Sequence, residues 1–351
     1  MLHNPSFMLT TQEANFLAEE LKTAKNPLFL YDDDADGLSS FLLLYRVHRQ
    51  GKGVMVHAAP TVDLKLWRSV EEINPDKIFI LDMPIVEQDF IDKAHRPIFW
   101  IDHHQPLELK NIHYYNPRIR DSAAYVPTTR MSFQVSQQEE DLWIATIGCL
   151  ADYYFPDFID RFAEKHPELL PKKVDLDHAL YHQPIGLLVK LFFFLTKGKI
   201  SDVNQAVKVL TRINSPEEII KQTSSQGKFL WKRFEAINEK YELLLAEAKK
   251  QATPGKILLF QYNDNQLSLT NNLANELTVL YPKKIIIVCR KKDGDMKCSL
   301  RAKIRIVDHL QKALVGIEGY GGGHPNACGA SIKEKDWERF LQNFKEELKN
   351  V

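Results

Sequence analysis

The segment "YDDDADGLSS" (31–40) places four aspartates within five positions, directly after an apolar run and directly before a glycine. Alternate residues of an extended strand end share a face, so Asp32, Asp34 and Asp36 are predicted to point the same way. Three carboxylates on one face repel one another unless a cation lies between them. Gly37 permits a tight turn into a helix whose N-terminal amides favour anions. The pattern predicts a metal site, and the alternative is an acidic loop with an aspartate helix cap.

Further candidate ligands stand in three other segments. Asp82 follows the apolar run "KIFIL", and Asp152 lies in "TIGCLADYY" on a predicted helix. Asp102, His103 and His104 follow "PIFWI". Adjacent histidines directly after a strand-ending aspartate are unusual, and mixed carboxylate and imidazole ligands suit Mn²⁺ or a related divalent ion. The ligands are numerous enough for two ions, about 3.5–4 Å apart if one carboxylate bridges them.

The first half of the chain has the pattern of a parallel sheet. The apolar runs "PLFLY", "GVMVHAA", "KIFILD" and "PIFWID" alternate with helical segments and are bounded by turn formers, which indicates βαβ units. Three of these runs lead directly to aspartates. Ligands of such sheets bind beyond the carboxyl ends of the strands. The candidate ligands are therefore predicted at that edge.

A long helix and a second α/β segment follow. Apolar residues at alternating steps of four and three predict one buried stripe on a helix from about Lys228 to Lys250. The stripe consists of Leu230, Phe234, Ile237, Tyr241, Leu244 and Ala248. "ATPGK" ends this helix, and a second set of strands and a helix follows. The predicted domains are 1–227 and 254–351, joined by a connecting helix and linker at 228–253.

Glycines and basic residues are concentrated near the C-terminus. "GYGGGHPNACGASI" (319–332) is predicted to be a loop, in which glycines let backbone amides approach a phosphate closely. An ordinary turn is the alternative. The segment 283–305 carries nine basic residues against two acids, which a solvated surface also explains. Arg301 is singled out because it ends the strand "KCSLRA" and a guanidinium suits a pair of phosphate oxygens.

Composition limits the classes of function. The chain has 351 residues, 44% hydrophobic and 26% charged, with 46 basic and 46 acidic residues, so it is no general binder of polyanions. Neither an apolar run long enough for a membrane helix nor a secretion signal is recognised. Four scattered cysteines predict reduced, buried thiols and a cytoplasmic location. These cysteines are Cys149, Cys289, Cys298 and Cys328.

"DDDADG", Asp82, "DHH", Asp152 and "GGGHPNACG" resemble, in order, the motifs of the DHH phosphoesterase superfamily with a DHHA1 domain. The resemblance covers nearly the whole chain. It implies an α/β fold in which a parallel-sheet DHH domain faces a smaller DHHA1 domain across a cleft, joined by the long helix. It also implies Mn²⁺-dependent phosphoesterase activity with two ions, Mg²⁺ and Co²⁺ being the alternatives.

The resemblance also implies roles for individual residues. Asp34 and Asp36 resemble ligands of different ions, Asp82 resembles their bridge, and His103 and Asp152 resemble ligands of the second ion. His104 is similar to a residue that contacts the scissile phosphate or orients the metal site, and Asp102 is similar to a residue that braces the adjacent histidines. Asp32 stands at a position where many relatives have histidine. RecJ-type nucleases, like this chain, have aspartate there. In the DHHA1 domain, Arg301, Gly322, Gly323 and His324 resemble substrate-binding residues.

Three functions remain open on these residues. The first is a RecJ-like exonuclease that cuts single-stranded DNA or RNA from an end, with water activated by two metals. The second is a phosphodiesterase for short oligonucleotides, cyclic dinucleotides or phosphoadenosine phosphate, which a zero net charge favours. Its binding should depend less steeply on salt. The third is a component of the replicative helicase assembly with a GINS-like partner, and an inorganic pyrophosphatase is a minor option. No membrane partner is expected.

Overall fold

The structure, a computed structural model, describes residues 8–57, 61–263 and 267–349. The first seven residues lie outside these ranges, and they belong to the N-terminal stretch in which no secretion signal is predicted. The last two residues of the predicted strand "GVMVHAA" also lie outside them. The chain divides into two compact units. Met1–Thr196 with Ser201–Lys232 form the first unit, and Lys197–Ile200 with Arg233–Val351 form the second.

The first unit is built on a five-stranded sheet in the order β2-β1-β4-β6-β7, with every pair of neighbours parallel. Its strands are β1 Leu28–Asp32, β2 Lys52–Val56, β4 Ile78–Leu81, β6 Ile98–Ile101 and β7 His113–Tyr115. The short strands β3 Thr61–Val62 and β5 Ile85–Val86 pair separately. Each central strand is buried on both faces, which explains its continuous apolar run. The predicted parallel sheet is confirmed.

Helices cover both faces of this sheet. The helices of this part of the chain are α1 Thr11–Thr23, α2 Ala35–Tyr45, α3 Trp67–Ile73, α4 Gln88–Ala94, α5 Thr128–Ser136, α6 Leu142–Ala151, α7 Ile159–Lys165, α8 Leu176–His182, α9 Pro184–Leu195, α10 Ile200–Leu210 and α11 Pro216–Ile220. On one face, Phe41 of α2 stacks on Tyr31 of β1 with ring centroids 4.6 Å apart. On the other face, Val70 of α3 and Phe90 of α4 join the apolar cluster of Leu30. The ends of the strands therefore remain the accessible part of the sheet.

The long helix α12 spans Ser225–Lys250, and the boundary between the units falls within it. Its predicted apolar stripe is buried except at Leu244, which is half-buried while Leu245 is 2% exposed. The one-residue shift follows from a helix with 3.6 residues per turn. In the part of the chain that the structure describes, no helix combines the length and apolar character needed to cross a membrane.

The second unit contains a mixed sheet in the order β11-β12-β10-β9-β8, in which only β8 and β9 are parallel. Its elements are β8 Ile257–Asn263, α13 Thr270–Leu280, β9 Ile285–Lys292, β10 Asp295–Arg301, α14 Val307–Ala313, β11 Gly319–His324, β12 Ala327–Lys333 and α15 Trp337–Glu347. One face of the sheet packs on α14 and α15 around Leu300, Leu310 and Phe340. The opposite face carries α13 over β9 and β10.

The glycine-rich segment differs from its prediction. It forms the antiparallel strands β11 and β12, and the prediction of a loop is wrong. Gly321 faces α14, where an added Cβ would lie 3.0 Å from the Cβ of Ala330 and 3.2 Å from Leu310. Small residues thus let β11 lie against the helix despite the low strand propensity of glycine.

Two cysteines also differ from their prediction. Cys289 and Cys298 form a disulfide, so the expectation of four reduced thiols is wrong for this pair. They are direct partners on β9 and β10, with Cα atoms 4.1 Å apart. This register cannot be read from cysteine spacing alone. Cys149 and Cys328 are free and buried. The cytoplasmic location stays a prediction.

Candidate metal centre

The carboxyl edge of the first sheet gathers side chains from three strands. Asp32 is the last residue of β1, Asp82 directly follows β4, and Asp102 and His103 directly follow β6. The Asp82 amide donates to the Ile101 carbonyl at 3.0 Å, so the β4–β6 ladder continues to the site. Asp82 has a φ of 61°, a left-handed conformation that is uncommon outside glycine. The chain therefore turns sharply at this carboxylate.

The acidic segment after β1 turns into α2 earlier than predicted. Asp34 caps this helix by accepting from the Gly37 amide at 2.9 Å, and Asp36 lies in the first turn. The prediction that the three alternating aspartates extend along a strand is therefore wrong beyond Asp32. A Cβ on Gly37 would lie 2.7 Å from the Asp32 carbonyl oxygen, so glycine permits this close approach.

Asp36 is held by the N-terminus of α5. The amides of Thr128 and Thr129 donate to its two carboxylate oxygens at 3.0 and 2.7 Å. The Thr128 hydroxyl donates to Asp82 Oδ1 at 3.1 Å, and all four side chains are buried. Pro127 occupies the N-cap position of α5, so neither threonine caps this helix. Thr128 instead joins the two carboxylates.

Asp152 reaches the site from the C-terminal end of α6. It is the residue after α6, and its carboxylate accepts the Tyr125 hydroxyl at 2.8 Å. The C-terminal end of a helix disfavours a carboxylate. The hydrogen bond from Tyr125 compensates in part and fixes the direction of this carboxylate.

His103 lies between these carboxylates. Its Nε2 atom is 3.4 Å from Asp82 Oδ1 and 3.9 Å from Asp36 Oδ2, while Nδ1 is 3.6 Å from Asp152 Oδ2. Among the described residues, Nδ1 has no hydrogen-bond partner although it is buried. Burial lowers the pKa of His103, so at neutral pH the imidazole is neutral, the form that binds metal ions.

The predicted ligands fall into groups whose donor atoms all lie within 4.8 Å of one another. The first group contains Asp32, Asp34 and Asp82, and the second contains Asp36, His103 and Asp152. A third contains Asp82, His103 and His104, and therefore overlaps both. The structure thus brings together the six predicted metal ligands and His104.

The pKa values of three of the clustered carboxyl groups are raised, as expected where positive charge is needed to balance them. Burial, followed by the neighbouring Asp152, raises the pKa of Asp36 to about 7. Burial, followed by Asp34, raises the pKa of Asp152 to about 7 as well. Burial and the adjacent carboxylates raise the pKa of Asp82 well above its ordinary value. Oxygen and imidazole donors around an orphaned, buried His103 nitrogen are a donor set that fits divalent cations.

His104 lies in a separate hydrogen-bonded arrangement. Its Nδ1 atom is 2.7 Å from Asp102 Oδ1, and its amide donates to Asp102 Oδ2 at 3.0 Å. Asn116 donates to Asp102 Oδ2 at 3.2 Å and to the His104 carbonyl at 2.9 Å. Although burial opposes the charge, the bond to Asp102 raises the pKa of His104 to about 9. His104 is therefore an imidazolium beside the carboxylate cluster.

The predicted substrate-binding residues lie in the second unit. Arg301 at the end of β10 and His324 at the end of β11 both pair with Ala327 of β12, one on each side. Arg301 donates from Nε to Asn275 Oδ1 at 2.7 Å and also contacts Asn271. Gly322 and Gly323 precede His324 on β11. The sheet therefore places the four residues at one end of its central and edge strands.

Several residues at the site escaped the sequence analysis. Tyr125, Thr128 and Asn116 reach the ligands through hydrogen bonds rather than through a charge pattern. Asn271 and Asn275, which hold Arg301, are four residues apart on α13. That helical spacing was a usable signal, because side chains at i and i+4 share a face.

Comparisons with known proteins agree with this arrangement. Residues 29–152 match the model of the "DHH family, N-terminal domain", and residues 256–350 match that of the "DHHA1 domain". The matched segments contain the metal-site candidates and the glycine-rich strands. Fold and site together define a metal-dependent phosphoesterase. The chain belongs to the DHH/DHHA1 superfamily.

Solved structures are similar in fold at low sequence identity. RecJ from Thermus thermophilus in complex with Mn²⁺ matches with a TM-score of 0.68 and 15% identity, over 100% of this chain and 55% of that chain. This chain thus spans about half the length of that relative. Exonuclease RecJ bound to manganese matches with a TM-score of 0.63 and 14% identity, over 96% of this chain and 94% of that chain. A comparison with curated proteins found no match.

Proposed function

We propose that the protein is a Mn²⁺-dependent phosphodiesterase that hydrolyses single-stranded nucleic acid from an end, as a RecJ-like exonuclease. The observation that carries the proposal is the cluster of five carboxylates, His103 and His104 in overlapping groups. Crowded, buried carboxylates reduce stability unless cations neutralise them. A chain that needed only its fold would have no physical reason to collect them.

We propose two sets of metal ligands within the cluster. Asp32, Asp34 and Asp82 would hold one ion, and Asp36, His103 and Asp152 would hold the other. Asp82 is the candidate for a shared ligand because it lies 3.4 Å from His103 and also belongs to the first set. Two divalent cations bound there would supply an acidified water and neutralise charge that develops at phosphorus.

The chain's own residues orient these ligands and the substrate. The Thr128 hydroxyl and amide fix Asp82 and Asp36, and the Tyr125 hydroxyl fixes Asp152. The His104 imidazolium, held by Asp102, is placed to contact a phosphate oxygen of the substrate. This division of roles requires no side chain to act as a nucleophile.

In the second unit, Arg301 and His324 are the proposed contacts for a substrate phosphate. The asparagines of α13 orient the Arg301 guanidinium from one side. The amides of Gly322 and Gly323 add donors without side-chain obstruction. DNA or RNA substrates and the preference for Mn²⁺ over Mg²⁺ or Co²⁺ are part of the proposal, and a GINS-like partner stays a prediction.

A parallel substrate screen tests this function. Purified protein with Mn²⁺ is incubated with end-labelled single strands of DNA and RNA, dinucleotides, cyclic dinucleotides and pyrophosphate. We expect stepwise shortening of single strands from one end and its loss when a chelator is added. Cleavage of dinucleotides alone would favour the short-substrate function, and inactivity on every phosphodiester would contradict the proposal.

A first prediction concerns Thr128. Replacing it by valine removes the hydroxyl bond to Asp82 but keeps the side-chain volume and the amide bond to Asp36. Loss of a partner that orients a ligand weakens metal binding about 10–100-fold, so we expect this increase in the Mn²⁺ Kd by calorimetric titration. Thr128→Ser should restore binding.

Thr146 provides the matched control for this prediction. It is an equally buried threonine whose hydroxyl donates to the Leu142 carbonyl of its own helix at 2.8 Å. Thr146→Val is expected to leave the Mn²⁺ affinity unchanged. Wild-type affinity in Thr128→Val would remove Thr128 from the metal centre.

A second prediction concerns pH. Without metal, Asp36 and Asp152 have pKa values raised to about 7, above the roughly 3.9 of an unfolded chain. The folded state then binds more protons than the unfolded state, so stability is lost as pH rises from about 4 through about 7. Bound Mn²⁺ removes this repulsion and, at about 100 times its Kd, contributes about 2.7 kcal/mol.

Thermal unfolding with chelator and with Mn²⁺ measures the effect. The increase in Tm on adding Mn²⁺ should be larger at about pH 8 than at about pH 5, where protons compete for the carboxylates. An equal increase at both values would show that the ion binds elsewhere.

A further inference from the structure

The second unit leaves half of one sheet face uncovered. On the face that carries α13, this helix packs over β9 and β10, whereas α14 and α15 pack on the opposite face. Within the second unit, the main element contacts of β11 and β12 are with each other, with β10 and with α14 and α15. Tyr320 on this side is 73% exposed. The uncovered area is thus a flat surface next to Arg301 and His324.

Strand register defines the residues of this surface, which we name the sheet shelf. Three rows run across β10, β12 and β11: Arg301–Ala327–His324, Ser299–Gly329–Gly322 and Lys297–Ser331–Tyr320. Alternate residues share a face, so all nine point the same way. From the first row to the third the strands advance four residues, or about 13 Å. Such a length needs more than one nucleotide to fill it.

Two glycines form the floor of the sheet shelf, and at each of them there is room for a side chain that the chain lacks. A Cβ on Gly329 would meet nothing closer than the Cys298 carbonyl oxygen at 4.0 Å, and one on Gly322 would meet Gln311 at 3.8 Å. Neither glycine has a positive φ. Gly321, by contrast, is required by its contact with Ala330. Because glycine weakens a strand, a cross-strand pair that neither packing nor backbone demands indicates close approach of a ligand.

Two hydroxyls on the sheet shelf point to the same conclusion. Ser299 and Ser331 are 9% and 8% exposed, so more than nine-tenths of each is buried. In the ranges that the structure covers, neither side chain has a hydrogen-bond partner. Both lie on the shelf side of their strands. Neither oxygen is among the fully buried atoms that lack a partner, so both hydroxyls reach the surface of the sheet shelf and are available to a ligand.

The far end of the sheet shelf carries an aromatic ring and a cation. Tyr320 makes no ring contact within the described residues, and Lys297 is exposed without an ion pair there. Exposed aromatic rings stack with bases of single strands, and lysines bind their phosphates. A dinucleotide held at Arg301 and His324 would not need either group.

We infer that the sheet shelf is a subsite for a further nucleotide of a single-stranded substrate. The base stacks on Tyr320, the backbone lies over Gly322 and Gly329, and Lys297 contacts a phosphate. The inference rests on the proposed function in that Arg301 and His324 hold the substrate end. It deepens that function, because it selects strands over dinucleotides.

Binding of nuclease-resistant strands tests the sheet shelf. Fluorescein-labelled phosphorothioate dinucleotides and hexanucleotides of thymidine and of uridine are titrated with Mn²⁺-loaded protein, and anisotropy gives each Kd. Tyr320→Ala should weaken hexanucleotide binding about tenfold and leave dinucleotide binding unchanged. Tyr320→Phe, which keeps the ring, should bind as the wild type does. Lys297→Ala should lower the slope of log Kd against log salt by about 0.7.

Lys345 is the matched control. It is an exposed lysine of α15, on the opposite face of the sheet, and Lys345→Ala should change neither Kd nor the salt slope. Gly329→Val places a side chain on the floor, where its Cβ would meet nothing closer than 4.0 Å, and should weaken hexanucleotide binding while the Tm stays at the wild-type value or rises. The inference is overturned if both Tyr320→Ala and Gly329→Val bind hexanucleotides as the wild type does. It is also overturned if the wild type binds dinucleotides and hexanucleotides equally well.

The two proposals fail in different ways. If single strands are cleaved but Tyr320→Ala binds hexanucleotides normally, the sheet shelf is wrong and the proposed function stands. If no strand is cleaved but hexanucleotide binding depends on Tyr320, the proposed reaction is wrong and the sheet shelf stands.

Discussion

Replacing Asp82 by alanine is expected to lower kcat/KM by at least about a thousandfold, or about 4 kcal/mol of transition-state stabilisation. Asp82 belongs to two of the three ligand groups and is 1% exposed. It also accepts the Thr128 hydroxyl and lies 3.4 Å from His103. Its loss therefore disturbs both proposed ion sites at once. Initial rates on the substrate found in the screen, at saturating Mn²⁺, measure the effect.

Two controls separate this loss from unfolding. Asp89→Ala changes an exposed aspartate of α4 in the same unit and should keep full activity. Asp82→Asn, measured with chelator at about pH 8, should melt no lower than the wild type because it removes a repelling charge. If Asp82→Ala keeps a tenth of the activity, Asp82 is no shared ligand.

The metal centre was accessible to sequence reasoning because its ligands follow strands. In a parallel sheet the carboxyl ends lie at one edge, so Asp32, Asp82 and His103 had to meet there once the strands were identified. Residue type then indicated the chemistry, since carboxylate and imidazole donors together suit divalent cations. Asp152, which follows a helix, was a candidate by residue type, and only the ordered motifs of the family gave it a ligand role.

The residues that orient the ligands could not be predicted in the same way. Thr128 and Tyr125 act through single hydrogen bonds, whose partners depend on the packing of α5 and α6 against α2. The disulfide of Cys289 depends on strand register, and Tyr320 was assigned to a loop because its glycine-rich surroundings disfavour a strand. Contacts between distant segments decided each case.

The carboxylates that the proposed function needs lower the stability of the metal-free first unit. Ligands of a metal ion must be close before the ion binds, so the metal-free fold holds carboxylates whose pKa values are raised. Other contacts must keep the helices that carry these ligands together. Gly148 of α6 lies close to both α2 and α5, since a Cβ there would be 2.2 Å from Thr129 Oγ1 and 2.6 Å from Ser39 Cβ.

A buried ion pair at the other ends of α2 and α6 supplies one such contact. Arg46 Nε donates to both oxygens of Asp141 at 2.8 and 2.9 Å, and its Nη1 donates to the Ile213 carbonyl at 2.7 Å. Both charged side chains are buried. Arg46 follows α2 and Asp141 precedes α6, so the pair lies at the helix ends opposite Asp36 and Asp152.

Arg46→Met is therefore expected to lower the free energy of unfolding by about 3–5 kcal/mol, because Asp141 is left as an unpaired buried charge. Urea unfolding at neutral pH with saturating Mn²⁺ measures the loss. Replacing Asp141 by leucine in the same chain should recover most of it, since an apolar pair of similar volume needs no partner charge. Activity per folded molecule should fall far less than in Asp82→Ala. If Arg46→Met unfolds at the wild-type urea concentration, the ion pair does not hold the two helices together, and other contacts keep Asp36 near Asp152.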